Sequence, residues 1–151
     1  MIRYLAKIIK DDDRYSVTFA DFPGCFSDGK SIEEASFNAR DALSLYLADN
    51  VKAIAGIKPA SDFDSGVQDM KAKKNKCHHW ITPHVHIAIP LMIRQARLAQ
   101  GLTQTELAKR LNISTQQIQK LETPGKSNPT IKTLAAISQA LNEHIEIRLV
   151  A

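Results

Sequence analysis

Apolar residues recur at every second position in two runs near the start of the chain, Ile2–Ile8 and Tyr15–Phe19. Such alternation predicts β-strands that bury one face. The polar segment 11–14 lies between them and predicts a hairpin turn. Pro23 and Gly24 then interrupt the pattern with a turn, after which a third short strand is expected before Gly29.

The pattern changes to helical spacing after this third strand. Ser31 and Glu34 have the spacing of a capping box, in which two side chains satisfy the first amides of a helix. One apolar stripe follows at intervals of three and four residues: Ile32, Ala35, Ala39, Leu43, Tyr46 and Leu47. We therefore predict a helix that runs to about Asn50 and packs on the sheet.

The middle of the chain shows less periodicity. Residues 58–83 are largely polar and include a basic run, which indicates a long loop or linker. Val85–Ile89 alternates again and predicts a strand that ends at Pro90 and returns to the sheet. Residues 1–89 are therefore predicted to form an α+β domain with the order β-β-β-α-β.

Helical spacing dominates residues 90–151, the predicted second domain. Thr103 and Ser114 each stand where a short helix should begin, and their capping-box partners are Glu106 and Gln117. Two short helices joined by so tight a turn have the plan of a helix-turn-helix. The second domain is therefore predicted to be all-α up to its last residues.

Those last residues alternate rather than follow helical spacing. After a fourth helix at about 130–141, Ile145, Ile147 and Leu149 repeat at every second position and predict a strand. A lone strand has unpaired edges and needs a partner. We expect it to pair with the same strand of a second subunit, which predicts a homodimer or a higher even oligomer.

Charge is distributed unevenly along the chain, whose formal net charge is +4. Residues 1–64 carry 8 Lys and Arg against 11 Asp and Glu, whereas residues 91–151 carry 8 against 4. Only the second domain is thus suited to bind phosphates. No apolar run is long enough to cross a membrane, the first residues do not have the pattern of a signal peptide, and the two cysteines lie far apart. A cytoplasmic protein is expected.

The second short helix of the pair carries polar side chains that can read DNA. Glutamine can bond adenine through two hydrogen bonds, and lysine can reach the acceptors of guanine. The candidates are Thr115, Gln116, Gln117, Gln119 and Lys120. A solvated glutamine-rich face is the alternative, and we favour DNA binding because the whole segment fits a helix-turn-helix.

Residues 102–111 and 118–122 closely resemble the lambdoid phage repressors and the wider Cro/repressor helix-turn-helix family. The resemblance implies phosphate contacts from Gln104, Lys126 and Ser127. It implies base contacts from Thr115, Gln116 and Lys120, with Gln119 as a flanking contact. Pro124 departs from the turn of the family and would shift the backbone contact with phosphate there.

Residues 21–35 look like the HicB antitoxin family, in a match that covers about residues 1–50. The shared pattern is an Asp-x-Pro-Gly-Cys turn, a glycine and a helix that opens Glu-Glu-Ala. HicB folds are similar to a reduced ribonuclease H, and HicB proteins often append a helix-turn-helix that ends in a strand. The basic stretch at 66–80 is unlike the shorter linkers of the family.

The HicB resemblance implies a type II toxin–antitoxin pair. The partner would be HicA, a small basic ribonuclease that cleaves mRNA. This chain would neutralise it by occluding its active site, and would repress its own operon by binding operator DNA. An acidic first domain suits a basic partner.

Two residue clusters suggest other chemistry. Asp11–Asp13, Asp21 and Asp28 resemble the carboxylates of a metal-dependent nuclease, but their spacing does not force them to converge. A second cluster contains a thiol and imidazoles that zinc can bind: Cys77, His78, His79, His84 and His86. It lacks the CxxC or HxxxH spacing of a zinc site, so we favour the interpretation that these histidines pack against other residues or lie on the surface.

Cys25 follows the Pro-Gly turn among apolar neighbours, which favours a buried structural thiol over a nucleophile.

We therefore predict no catalytic residue, metal ion or cofactor, and expect that the protein is not an enzyme. Three classes of function stay open: an antitoxin that represses its own operon, a ligand-sensing repressor without a toxin, and a nuclease directed by a helix-turn-helix. A small basic reading frame beside the gene would favour the first.

Overall fold

The computed structural model describes residues 2–51 and 77–146. They belong to two compact units, Met1–Ala88 and Ile89–Ala151. Most of the predicted loop at 58–83 lies outside the described residues. No helix within the described residues is long and apolar enough to cross a membrane.

The first unit contains a four-stranded antiparallel sheet with a helix packed on it. Its elements are β1 Tyr4–Asp11, β2 Arg14–Phe19, β3 Phe26–Gly29, α1 Ile32–Asp49 and β4 His78–Ile81. The strand order is β3-β2-β1-β4. The predicted order β-β-β-α-β is therefore observed, although the last strand lies earlier in the chain than expected.

Two local features of this unit follow directly from the residue types. Asp11 and Arg14 face each other across the β1–β2 hairpin, and Asp12 adopts a left-handed backbone with φ +49°. Aspartate tolerates this conformation better than most residues. At the end of β3, a Cβ on Gly29 would overlap the backbone of Ala35, so only glycine lets α1 approach the sheet this closely.

Helix α1 begins at the predicted cap, Ser31, but the return bond of the predicted capping box goes to the residue before the cap. Ser31 Oγ accepts a hydrogen bond from the Glu34 N–H at 3.1 Å, and a Glu34 carboxylate oxygen accepts one from the Lys30 N–H at 2.7 Å. The buried row of the helix is Ala35, Ala39, Leu43 and Leu47. Tyr46 is half-buried, and Ile32 lies at the edge of the stripe and is exposed.

The prediction of a strand at Val85–Ile89 is wrong, because these residues open helix α2, Val85–Ala99. The His84 carbonyl accepts hydrogen bonds from the N–H groups of Ile87 and Ala88, each at 2.9 Å. Ile87, Ala88 and Leu91 are buried on one side of that helix. The fourth strand is instead β4, which pairs with β1 so that Tyr4 faces Ile81.

The second unit is helical within its described residues. It contains most of α2, followed by α3 Gln104–Leu111, α4 Thr115–Leu121 and α5 Ile131–Leu141. Its core consists of Ile93, Leu107, Ala108, Ile118, Ile137 and Leu141. The two units together confirm the predicted class, an α+β domain followed by an all-α helix-turn-helix domain.

The predicted C-terminal strand falls at the edge of the described residues. Residues 143–146 form no strand within the single chain, and Ile147 and Leu149 lie outside the described residues. Ile145 is 38% exposed. Pairing of this segment with a second subunit therefore stays a prediction.

Candidate DNA-binding surface

The turn between α3 and α4 is held by hydrogen bonds at both helix ends. Asn112 ends α3 in a left-handed conformation, with φ +54°. Ser114 then caps α4, because its Oγ accepts a hydrogen bond from the Gln117 N–H at 3.2 Å. Ile118 of α4 and Leu107 of α3 are both fully buried, which fixes how the two helices cross. The capping boxes predicted for α3 and α4 are both complete.

Helix α4 turns most of the predicted base readers outward. Gln116, Gln119 and Lys120 are exposed, and Thr115 at the start of the helix is half-buried. Ile118 occupies the opposite side of the same helix and lies in the core. The exposed side therefore presents amide and ammonium groups that can bond base edges in a major groove.

Gln117 is held differently from the other candidates. Its side-chain oxygen accepts a hydrogen bond from the Ser114 N–H at 2.9 Å, which completes the capping box. The structure therefore gives this side chain a structural role, and a base contact would have to use its NH₂ group alone. The spacing of Ser114 and Gln117 in the sequence already predicted this role in the cap.

Gln104, the predicted phosphate clamp, lies at the first turn of α3. Its side-chain NH₂ donates a hydrogen bond to Glu122 Oε2 at 2.9 Å. Glu122 caps the end of α4, so this bond joins the start of one helix of the motif to the end of the other. The bond fixes the side-chain orientation before any DNA is bound.

A buried ion pair supports this arrangement and was missed by the sequence analysis. Arg97 donates from Nε and Nη2 to the two carboxylate oxygens of Glu122 at 2.5 and 2.8 Å. The side chains are only 7% and 2% exposed. Arg97 also donates to the Leu102 carbonyl oxygen at 2.5 Å. One feature of the sequence could have indicated this ion pair: Arg97 lies within the apolar stripe of α2, four residues after Ile93.

The cap of α3 depends on a carboxylate. Glu106 accepts hydrogen bonds from both the N–H and the hydroxyl group of Thr103, each at 2.7 Å. Both bonds lower the pKa of the Glu106 carboxyl, and the bond from the Thr103 backbone has the larger effect. The negative charge also lies in the first turn of the helix, where the helix dipole favours it.

The turn after α4 contains the other predicted phosphate contacts. The Lys126 N–H donates to the Thr123 carbonyl oxygen at 3.2 Å, and Gly125 has φ +72°. Pro124 is buried, whereas Lys126 is exposed. Pro124 differs from the residue expected in the family turn, yet the turn is closed by a hydrogen bond and its lysine, Lys126, is exposed to solvent. Ser127 is half-buried, and its hydroxyl donates weakly to the Leu121 carbonyl oxygen at 3.5 Å.

The two clusters weighed for other chemistry take structural positions. Asp28 pairs with the Arg14 guanidinium, at 2.6 Å from its Nε, and Asp11–Asp13 are exposed at the hairpin. His84 Nε2 lies 2.7 Å from Asp41 Oδ1. Among residues 2–51 and 77–146, no three His, Cys, Asp or Glu side chains come together to hold a metal ion.

The histidines of the second cluster are distributed between β4 and the start of α2. The rings of His84 and His86 stack at 5.6 Å. His86 lies in α2, within the segment for which a strand was predicted. His78 and His79 lie in β4, opposite Lys7 and Ala6 of β1.

Cys25 is a buried free thiol. Burial raises its pKa to about 11, so the thiol stays protonated near neutral pH. Cys77 is also free and is half-buried.

A sheet-and-helix unit followed by a capped helix-turn-helix defines a DNA-binding regulator with a second, separate domain. Residues 93–147 match the family model described as "Helix-turn-helix". Residues 3–68 match the model described as "HicB_like antitoxin of bacterial toxin-antitoxin system". The chain therefore carries a HicB-like antitoxin domain followed by a helix-turn-helix domain, which confirms both resemblances.

Three individual proteins are similar to the chain. "Antitoxin HicB 2" of Photorhabdus laumondii is 26% identical over 149 residues, which cover 97% of this chain and 95% of that protein. An "Uncharacterized 14.9 kDa protein in rep-hol intergenic region" of Haemophilus phage HP1 is 45% identical over 40 residues, 26% of this chain but only 30% of the phage protein. The crystal structure of the Burkholderia pseudomallei antitoxin HicB aligns with 74% of this chain and 94% of that one, at 18% identity and a TM-score of 0.41.

Proposed function

We propose that this protein is the antitoxin of a type II toxin–antitoxin pair and the repressor of its own operon. The observation that carries the proposal is the combination in one chain of a HicB-like antitoxin domain and a helix-turn-helix with an exposed polar reading helix. The partner is a HicA-like ribonuclease that cleaves mRNA, and the second ligand is double-stranded operator DNA.

The N-terminal unit neutralises the toxin by occlusion. A ribonuclease must admit an RNA strand to its active site, so a tightly bound protein that covers the site abolishes cleavage. No chemical step by this chain is required, and we propose that it is not an enzyme. Opposite charges speed the encounter, and buried apolar contacts determine how long the complex lasts.

The C-terminal unit represses transcription by occupying the operator. Thr115, Gln116, Gln119 and Lys120 contact bases, while Gln104, Lys126 and Ser127 contact phosphates. In a dimer held by the C-terminal segment, the two reading helices would meet half-sites about 34–36 Å apart, one turn of B-DNA. Binding should weaken steeply with salt because phosphate contacts release counterions.

Co-expression tests the proposal in cells. The small reading frame beside this gene is induced alone and together with the full-length chain. We expect growth arrest and mRNA loss in the first case and normal growth in the second. A harmless neighbour, or arrest that the full-length chain does not relieve, would make a ligand-sensing repressor the better account.

A further inference from the structure

One row of residues on α1 faces solvent along the whole helix. The row has a spacing of four residues and consists of Glu33, Phe37, Asp41, Leu45 and Asp49, all exposed. The buried row of α1 has the same spacing, so the two rows wind around the helix together and stay on opposite sides. We call the exposed row the α1 ridge.

The α1 ridge alternates carboxylates with large apolar side chains. Phe37 is 61% exposed and Leu45 is 67% exposed, and they lie about 12 Å apart along the helix axis. Among the charged residues of α1, four are acidic and only Arg40 is basic. Single exposed apolar residues are common on protein surfaces, but two of them framed by carboxylates form a patch suited to a partner that is both cationic and partly apolar.

A groove of about 300 Å³ runs beside this ridge, between α1 and β4. Glu33, Phe37 and Arg40 of α1 line one side of the groove, and the end of β4, residues 80–82, lines the other. The Trp80 ring itself lies on the opposite face of the sheet, because its neighbour Ile81 faces the core, and the Arg3 guanidinium lies 5.0 Å from the centroid of that ring. The volume is at the lower end for small-molecule pockets, ~300–1,000 Å³, and suits a protruding side chain of a protein.

We propose that the α1 ridge and its groove form the docking surface for the toxin. This inference rests on the proposed function. A protein that binds RNA must present positive charge to the phosphates. The carboxylates of the ridge complement that surface, and an apolar side chain of the toxin enters the groove beside Phe37. The partner is then unable to bind RNA, because the ridge occupies the same cationic surface.

The open face of the sheet is the competing surface on this unit. It exposes Phe26, which is 71% exposed and lies beside Thr18 on β2. Thr18 in turn faces Lys7 on β1, and Lys7 is exposed. This face carries Lys7 and the ion pair of Arg14 with Asp28, which makes it less suited to a cationic partner than the α1 ridge. Phe26 therefore provides a matched control: an exposed phenylalanine of the same domain with a different electrostatic environment.

The test compares four full-length proteins, the wild type, Phe37→Ser, Phe26→Ser and Glu33→Lys, for binding to the purified product of the adjacent reading frame. We expect Phe37→Ser to weaken the affinity at least about 30-fold, as at an interface hot spot, and Phe26→Ser to change it less than about twofold. Glu33→Lys should slow association on the order of tenfold at low salt, and the difference should shrink at high salt.

The possible outcomes distinguish failure of the proposed docking surface from failure of the proposed function. Wild-type binding that survives Phe37→Ser and Glu33→Lys, or that is lost in Phe26→Ser instead, would overturn the docking surface and leave the antitoxin function standing. Failure of the wild type to bind the adjacent product would overturn the proposed function itself. Unchanged melting temperature and operator binding show that a variant is folded, and Glu33→Lys tests the ridge by charge if Phe37→Ser does not fold.

Discussion

At the scale of single residues, recognition of the operator sequence depends on which side-chain amide groups of α4 can reach the bases. Gln117 is engaged in the cap of its own helix, whereas the Gln116 side chain is exposed next to it. Gln116 is therefore the residue of this pair that we expect to carry base specificity.

The change Gln116→Ala should cost on the order of 1–3 kcal/mol in binding to the operator and little in binding to unrelated DNA, since a base contact is lost and the phosphate contacts stay. Titrations of both DNAs at one salt concentration measure this. Gln139→Ala removes an exposed glutamine of α5 and should change neither affinity. Equal losses on the two DNAs would remove Gln116 as a base reader.

Two buried ionisable groups make the first domain sensitive to alkaline pH. Burial raises the pKa of Cys25 to about 11, and burial together with the charge of Asp21 raises that of Tyr4 to about 12. Both pKa values lie above those of the unfolded chain. The contribution of Cys25 is therefore complete below about pH 9 and is lost as pH rises to 11, and that of Tyr4 is complete below about pH 10 and is lost as pH rises to 12. Within its own window, each group lowers the free energy of unfolding by up to about 1.4 kcal/mol for each pH unit.

The melting temperature of the first domain should therefore fall between pH 9 and pH 11. Cys25→Ala should melt lower at pH 8, because it leaves a small cavity, but should lose less on going to pH 11. Differential scanning calorimetry across this pH range measures both. The same pH dependence in the wild type and in Cys25→Ala would show that the Cys25 thiol does not contribute.

At the scale of elements, helices with clear caps and stripes were predicted well from the sequence. Ser31, Thr103 and Ser114 each begin a helix as expected, because a capping side chain and its partner act within four residues. Val85–Ile89 was misassigned because five alternating residues do not distinguish a strand from the first turns of a helix. Pro90 suggested an end to the element, yet it lies within α2.

Contacts between distant residues were beyond the sequence argument. The ion pair of Arg97 and Glu122 joins α2 to the end of α4, and no local spacing reveals that the two residues meet. The predicted base readers of α4 were placed outward by helical periodicity alone. Whether they contact bases depends on DNA, so that part stays a prediction.

The Arg97–Glu122 pair should be essential to the second domain. Arg97→Met leaves a buried carboxylate without its guanidinium and should lower the free energy of unfolding by about 3–5 kcal/mol. The double variant Arg97→Met/Glu122→Leu should recover part of this loss, because neither charge is then buried alone. Arg110→Met is the control: this exposed arginine donates one hydrogen bond to the Ala140 carbonyl oxygen, and its loss should cost no more than about 1 kcal/mol. Urea denaturation measures all three, and a mild effect of Arg97→Met would contradict this role.

At the scale of the whole molecule, the account requires two copies of the chain on one operator. Deletion of residues 143–151 removes the predicted pairing segment of Ile145, Ile147 and Leu149. The truncated protein should sediment as a monomer and bind the operator poorly, because the second half-site contact is no longer linked to the first. A truncated protein that still sediments as a dimer would place the subunit contact elsewhere.

The central claim is that one chain carries two separable activities. Inhibition of RNA cleavage by the adjacent gene product, measured with the wild type and with Gln116→Ala/Lys120→Ala on matched preparations, tests it most directly. The account predicts that the double variant no longer binds the operator but stops cleavage at the same molar ratio as the wild type. Loss of inhibition in the double variant, or cleavage that the wild-type chain leaves unchanged, would contradict it.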